Sequence, residues 1–128
     1  MARTFQRKKR FSLLELFQNA PDTQKLNIID VRTRVIFQRP DGKNLELDIV
    51  AESSCGRVVL VEVKNWKKKI GVNVVEAFIE KVTVYGRQYT DKTVLPCIWS
   101  KQGFSGKAIN MCQLHGIGMA NDKSKAKE

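Results

Sequence analysis

Three charged side chains stand within one short, otherwise largely apolar stretch, two carboxylates that could hold a cation and a lysine: Asp48, Glu62 and Lys64, inside LELDIVAESSCGRVVLVEVKNW, residues 45–66. Two segments of alternating polarity flank a Ser-Ser-Cys-Gly turn, which is the pattern of a hairpin. With a period of two, Glu46, Asp48, Val50 and Glu52 share one face of the first strand, and Leu45, Leu47, Ile49 and Ala51 the other. In the second strand Val58, Leu60, Glu62 and Lys64 share a face opposite Val59, Val61 and Val63. The hairpin therefore gathers two carboxylates and an ammonium on one side of a sheet. Charges on a strand as apolar as VVLVEVK must be paired, bind metal or shift their pKa. Two readings meet that demand: a structural ion pair of Glu62 with Lys64 at the strand end with Asp48 merely solvated, and a site where the carboxylates bind a metal.

The arrangement Asp48, thirteen residues, then Glu62-Val63-Lys64 resembles the signature of the PD-(D/E)xK nuclease superfamily, the restriction endonuclease-like fold. The resemblance implies an α/β domain with an αβββαβαβ core, a central mixed sheet flanked by helices. It also implies a metal-dependent DNA endonuclease: Asp48 and Glu62 holding Mg²⁺ or Mn²⁺ with the backbone carbonyl of Val63, and Lys64 positioning or helping to deprotonate the attacking water. In many superfamily members a glutamate on the first helix reaches the active site, and Glu15 stands where that helix is expected. Two positions depart from the usual pattern. Leu47 precedes Asp48 where proline is common, and Glu62 stands where the Mrr-type branch often has glutamine; neither change removes a ligand.

The elements that must position these residues follow in order. FSLLELFQN, residues 11–19, predicts a first helix with Phe11 and Leu14 on its apolar stripe, ended by Ala-Pro-Asp. A long strand is expected over residues 29–37, and Pro-Asp-Gly, residues 40–42, turns it into the central hairpin. Val75, Phe78, Ile79, Val82 and Tyr85 predict an amphipathic helix over residues 72–89, with Glu76, Glu80 and Lys81 off or at the edge of its stripe. TVLPCIWS, residues 93–100, reads as a buried strand whose Pro96 calls for an edge or a bulge. A Gly-Phe-Ser turn, a short helix in GKAINMCQLHG and a closing Gly-Ile strand resemble the ending of Mrr-type restriction endonuclease-like domains.

Composition bounds the rest. The chain has 128 residues, enough for one core, with 42% hydrophobic and 28% charged residues. No window is long and apolar enough for a membrane span, and MARTFQRKKR leads into no signal-peptide core, so a cytoplasmic protein without membrane partners is expected. Cys55, Cys97 and Cys112 are odd in number with no CxxC pair, and His115 is the single histidine, which supports neither a disulfide framework nor a zinc site. Lys and Arg total 23 against 13 Asp and Glu, a net charge of +10 that makes DNA the leading partner class. Candidate contacts to it are Trp66, Lys67, Lys68 and Lys69 beside the motif, and Arg7, Lys8, Lys9 and Arg10 in a basic arm of residues 1–10. The nuclease domain is expected over residues 11–120 and a polar, disordered tail over 121–128. No helix-turn-helix or zinc finger is present for sequence reading. Cutting both strands would require a homodimer or fusion to a larger protein. Two alternatives stay open: a structure-selective nuclease such as a Holliday junction resolvase, and a non-catalytic DNA-binding module with the same fold.

Overall fold

The structure, a computed structural model, describes residues 1–122; the tail expected over residues 121–128 therefore lies almost wholly outside the described residues. Its elements are helix α1 (Ala2–Arg7), strand β1 (Arg10–Ser12), a single 3₁₀ turn (Leu13–Glu15), β2 (Lys25–Gln38), β3 (Asn44–Ser53), β4 (Arg57–Lys64), α2 (Val72–Gln88), β5 (Thr93–Ser100), α3 (Gly106–His115) and β6 (Gly118–Ala120). One six-stranded sheet runs in the order β1-β2-β3-β4-β5-β6. The first four strands are antiparallel neighbours, while β4, β5 and β6 are parallel. This is a mixed sheet with flanking helices, an α/β restriction endonuclease-like fold. Among the described residues no helix is long and apolar enough to cross a membrane.

β4 is buried on both faces, and its apolar run divides cleanly between two cores. Val58 and Leu60 pack with Val75, Phe78 and Tyr85 of α2 and with Ala108 and Cys112 of α3. Val59 and Val61 pack on the other face with Phe5, Phe11, Leu13 and Phe17. Pro96 fits because β6 pairs only with Cys97–Trp99, so the missing N–H lies just before the covered part of β5. Cys97 and Cys112 are buried and Cys55 is exposed, all three free.

The N-terminal expectations change. Phe11–Asn19 does not form a helix: Phe11, Leu13, Leu16 and Phe17 are all buried while Leu14 is 57% exposed, a spacing that no single helix face provides. The chain instead makes β1 and one 3₁₀ turn, opened by a capping box in which Ser12 accepts from the Leu14 N–H and Glu15 accepts from the Ser12 N–H. The first helix lies earlier, in the segment expected as a loose basic arm. Six residues cannot sustain a helix in water; burial of Phe5, with its ring 5.6 Å from that of Phe11, supplies about 2–3 kcal/mol toward holding it.

The hairpin of β2 and β3 also departs from simple alternation. Val35, Phe37, Leu45 and Leu47 belong to the α2 side, whereas Val31, Ile49 and Ala51 belong to the opposite side. The pleat therefore reverses between the pairs Thr33↔Ile49 and Val35↔Leu47, at Arg34 and the facing Asp48. Arg34 carries the reversal with φ 52°, a left-handed conformation that a non-glycine residue adopts at a cost of about 1–2 kcal/mol. Leu45 and Leu47 thus do not share a face with Ile49 and Ala51, and Asp48 sits at the kink.

Substitution at Arg34 should report that conformation. Arg34→Gly is expected to leave stability within about 1 kcal/mol of the parent, because relief of strain offsets glycine's greater unfolded freedom. Arg34→Val should lose about 1–2 kcal/mol more. Urea unfolding at constant m decides; equal tolerance of valine and glycine would show that the position is not held left-handed.

Candidate active site

Glu62 is the buried charge around which the site forms. It lies near the carboxyl end of β4, between β3 and β5, and is only 3% exposed. By strand alternation it faces α2 with Val58 and Leu60. From α2, the Lys81 ammonium donates to both carboxylate oxygens, at 3.2 and 3.3 Å. Lys64 approaches from the same strand, its Nζ 3.4 Å from Glu62 Oε2. The carboxylate is thus compensated twice, as burial of an ionised group demands.

Asp48 reaches the same strand end by another route. The paired register of β3 and β4 runs from Glu52↔Val58 to Ile49↔Val61. Beyond it the Val63 N–H donates to Asp48 Oδ2 at 2.8 Å, so a carboxylate takes the place of a backbone acceptor where the ladder ends. That bond fixes Asp48 on one oxygen and leaves Oδ1 outside it. The N–H and C=O of one strand residue point toward the same neighbour, so the Val63 carbonyl is directed to the same side as Asp48. Oxygen donors available here are the Asp48 and Glu62 carboxylates and that carbonyl. Among the described residues no three His, Cys, Asp or Glu side chains gather where they could share one ion.

Lys64 is held on two sides. Besides the Glu62 contact, its Nζ lies 5.0 Å from the centroid of the Trp66 ring, with Lys68 Nζ at 5.9 Å from the same ring, a cation–π arrangement. Trp66 remains 40% exposed. Lys67, Lys68 and Lys69 are exposed in the loop from β4 to α2, adjoining the strand end that carries Glu62 and Lys64.

The remaining sequence candidates lie elsewhere. Glu15 is spent on the Ser12 cap and on Lys8, 3.2 Å away. The Ser12 N–H, and then Lys8, hold its pKa below the usual carboxylate value. Arg7, Lys8, Lys9 and Arg10 stand at the β1 edge, three strands from β4, and the structure does not bring them together with Lys67–Lys69. Lys81 is the residue that sequence reasoning placed at the margin of α2. Its position three residues after Phe78 and four before Tyr85, both buried, puts it inside the apolar row. A charge in such a row needs a buried partner.

No protein-family model matches this sequence, and no curated protein matches it. Solved structures do. One, described as a protein of unknown function, AF1548, superposes with a TM-score of 0.62 at 21% identity, over 72% of this chain and 48% of its own. A complex of EndoMS with double-stranded DNA gives 0.51 at 16% identity, over 70% and 35%. A repair endonuclease from Pyrococcus abyssi gives 0.51 at 15% identity, over 70% and 38%. The chain spans half or less of the length of each of these proteins. What it shares with them is the fold: a mixed sheet with flanking helices.

Proposed function

We propose that this chain is a metal-dependent DNA endonuclease of the Mrr or restriction-like kind. The observation that carries the reading is the buried Glu62 at a strand end, with Lys64 on it and Asp48 pinned one strand away by the Val63 N–H. Endonucleases among the structures of similar fold, one of them bound to double-stranded DNA, support it.

The donor set fits a hard divalent cation. Asp48, Glu62 and the Val63 carbonyl offer only oxygen, and Mg²⁺ is commonly held by one or two carboxylates plus substrate phosphate and water. When bound, Mg²⁺ or Mn²⁺ would supply Lewis-acid stabilisation of the phosphate and a more acidic water. The protein's own groups do the rest. Lys64, fixed between Glu62 and the Trp66 ring, orients the attacking water and offsets charge building on the phosphate oxygens. Lys81 holds Glu62 in place from the helix side. The exposed part of Trp66 offers a stacking surface, and Lys67, Lys68 and Lys69 hold the backbone on either side of the scissile bond.

Three results test this reading. Asp48→Asn keeps size but loses the charge, so cleavage of plasmid and linear DNA with Mg²⁺ or Mn²⁺ should fall by at least about 100-fold while DNA affinity stays level or rises. Lys64→Ala should lower cleavage by about 100-fold or more. Unchanged cleavage in both variants, or a wild-type protein that binds DNA and never cuts it, would favour the non-catalytic module.

Lys81→Met removes one of two cations from a buried carboxylate and should cost about 1–3 kcal/mol in urea unfolding. A neutral result would mean that Lys64 suffices to hold Glu62. Replacing Lys67, Lys68 and Lys69 by glutamine should weaken binding to all sequences alike and reduce the slope of log affinity against log salt by up to about three. A loss confined to one sequence would indicate base reading by these lysines.

A further inference from the structure

The turn after β5 forms a wall of a separate concavity of about 620 Å³, within the range of about 300–1,000 Å³ for small-ligand sites. The candidate active site fixes where it lies. The Lys101 N–H donates to the Lys64 carbonyl at 2.9 Å, and the Ile70 N–H to the Gly103 carbonyl at 3.0 Å. Its wall therefore begins one hydrogen bond from the motif lysine. Lys101 and Ala120 place it at the carboxyl ends of the parallel strands, the edge where open α/β sheets bind ligands.

The lining is specific in chemistry. Phe104, Ile109 and Met119 supply apolar surface, while Lys69 and Lys101 supply positive charge. Gln18, Gln102 and Gln113 are exposed on the cavity, and their side-chain amides make no hydrogen bond among the described residues. Asn19, by contrast, spends its amide on the Cys112 and Ile117 carbonyls at 3.1 and 3.0 Å. Three uncommitted amides around an apolar floor, with two lysines beside them, match a nucleotide. Each amide both donates and accepts, as the edges of bases do; the floor takes the base face, and the lysines take phosphate.

We propose that this cavity receives an unstacked nucleotide next to the scissile phosphate, so that the preferred substrate is DNA carrying an unpaired nucleotide rather than a fully paired duplex. The inference rests on the nuclease reading for its substrate. A paired base has its edge occupied and leaves the stack only at a cost of a few kcal/mol, least where it is already unpaired. An amide can turn its donor and acceptor ends about, so the cavity selects for exposure of a base and not for its identity.

Binding in EDTA separates recognition from cleavage. Two duplexes of one sequence are compared, one bearing a single extra nucleotide on one strand with 2-aminopurine as its base. The bulged duplex should bind on the order of tenfold tighter, and the emission of the analogue should change on binding. Gln102→Ala with Gln113→Ala should bring the preference within about twofold and remove the emission change, with thermal unfolding confirming that the variant folds. Equal affinity of wild type for both duplexes, or a preference that survives the double substitution, overturns the proposal. Preference for the bulge without cleavage of either duplex in Mg²⁺ or Mn²⁺ sustains the cavity and overturns the nuclease reading. Equal binding and equal cleavage of both does the reverse, and binding to neither overturns both.

Discussion

A carboxylate near the end of an apolar strand, with strands on both sides and a helix above, is almost closed off from water, and much of this fold is arranged around that fact. Glu62 obliges α2 to deliver a cation, and Lys81 can do so only if the helix is rotated to turn Phe78, Lys81 and Tyr85 toward the sheet. With that phase set, Tyr85 meets Phe37 edge-on at 5.7 Å and stacks on Tyr89 at 4.4 Å. The far end of the β2–β3 hairpin is thereby packed against the same helix. Electrostatics at one residue and apolar packing some distance away are settled by a single rotation.

The same strand end shows how a side chain can take over part of a sheet ladder. Pairing of β3 with β4 stops at Ile49↔Val61, yet the Val63 N–H is satisfied by the Asp48 side chain. The strands can therefore part at that point while the Val63 N–H stays satisfied, beside the kink where Arg34 and Asp48 reverse the pleat. Trp66 and the three lysines after it begin where β4 stops, so positive charge is concentrated beside that strand end.

Most of this was legible in the sequence because the strands, apart from the pleat reversal of β2 and β3 at Arg34 and Asp48, obey alternation. The SSCG hairpin, the long β2, the amphipathic α2 and the buried β5 all follow from period and turn chemistry, and with them the neighbourhood of Asp48, Glu62 and Lys64. Besides that reversal, three features were not legible. Phe11, Leu13, Leu16 and Phe17 look helical in composition, but tertiary burial on several sides overrode local propensity. Phe5 lies among basic residues, and its worth appears only once a sheet face exists to receive it. Lys81 was not legible because the apolar stripe of α2 does not by itself say which buried carboxylate a charge within it would face.

The outer side of β2 has a consequence beyond the site. β1 pairs only with Lys25–Asn27, so among the described residues the strand past Ile28 has a neighbour on one side alone, with Ile29 and Ile36 each 64% exposed. Such an edge is a template for further strands. It is interrupted by Asp30 and Arg32, joined at 3.3 Å, and bent at Arg34, so an incoming flat strand would meet charges and then a change of direction. The left-handed residue that turns Asp48 thus also bends this edge away from the flat geometry that strand addition needs.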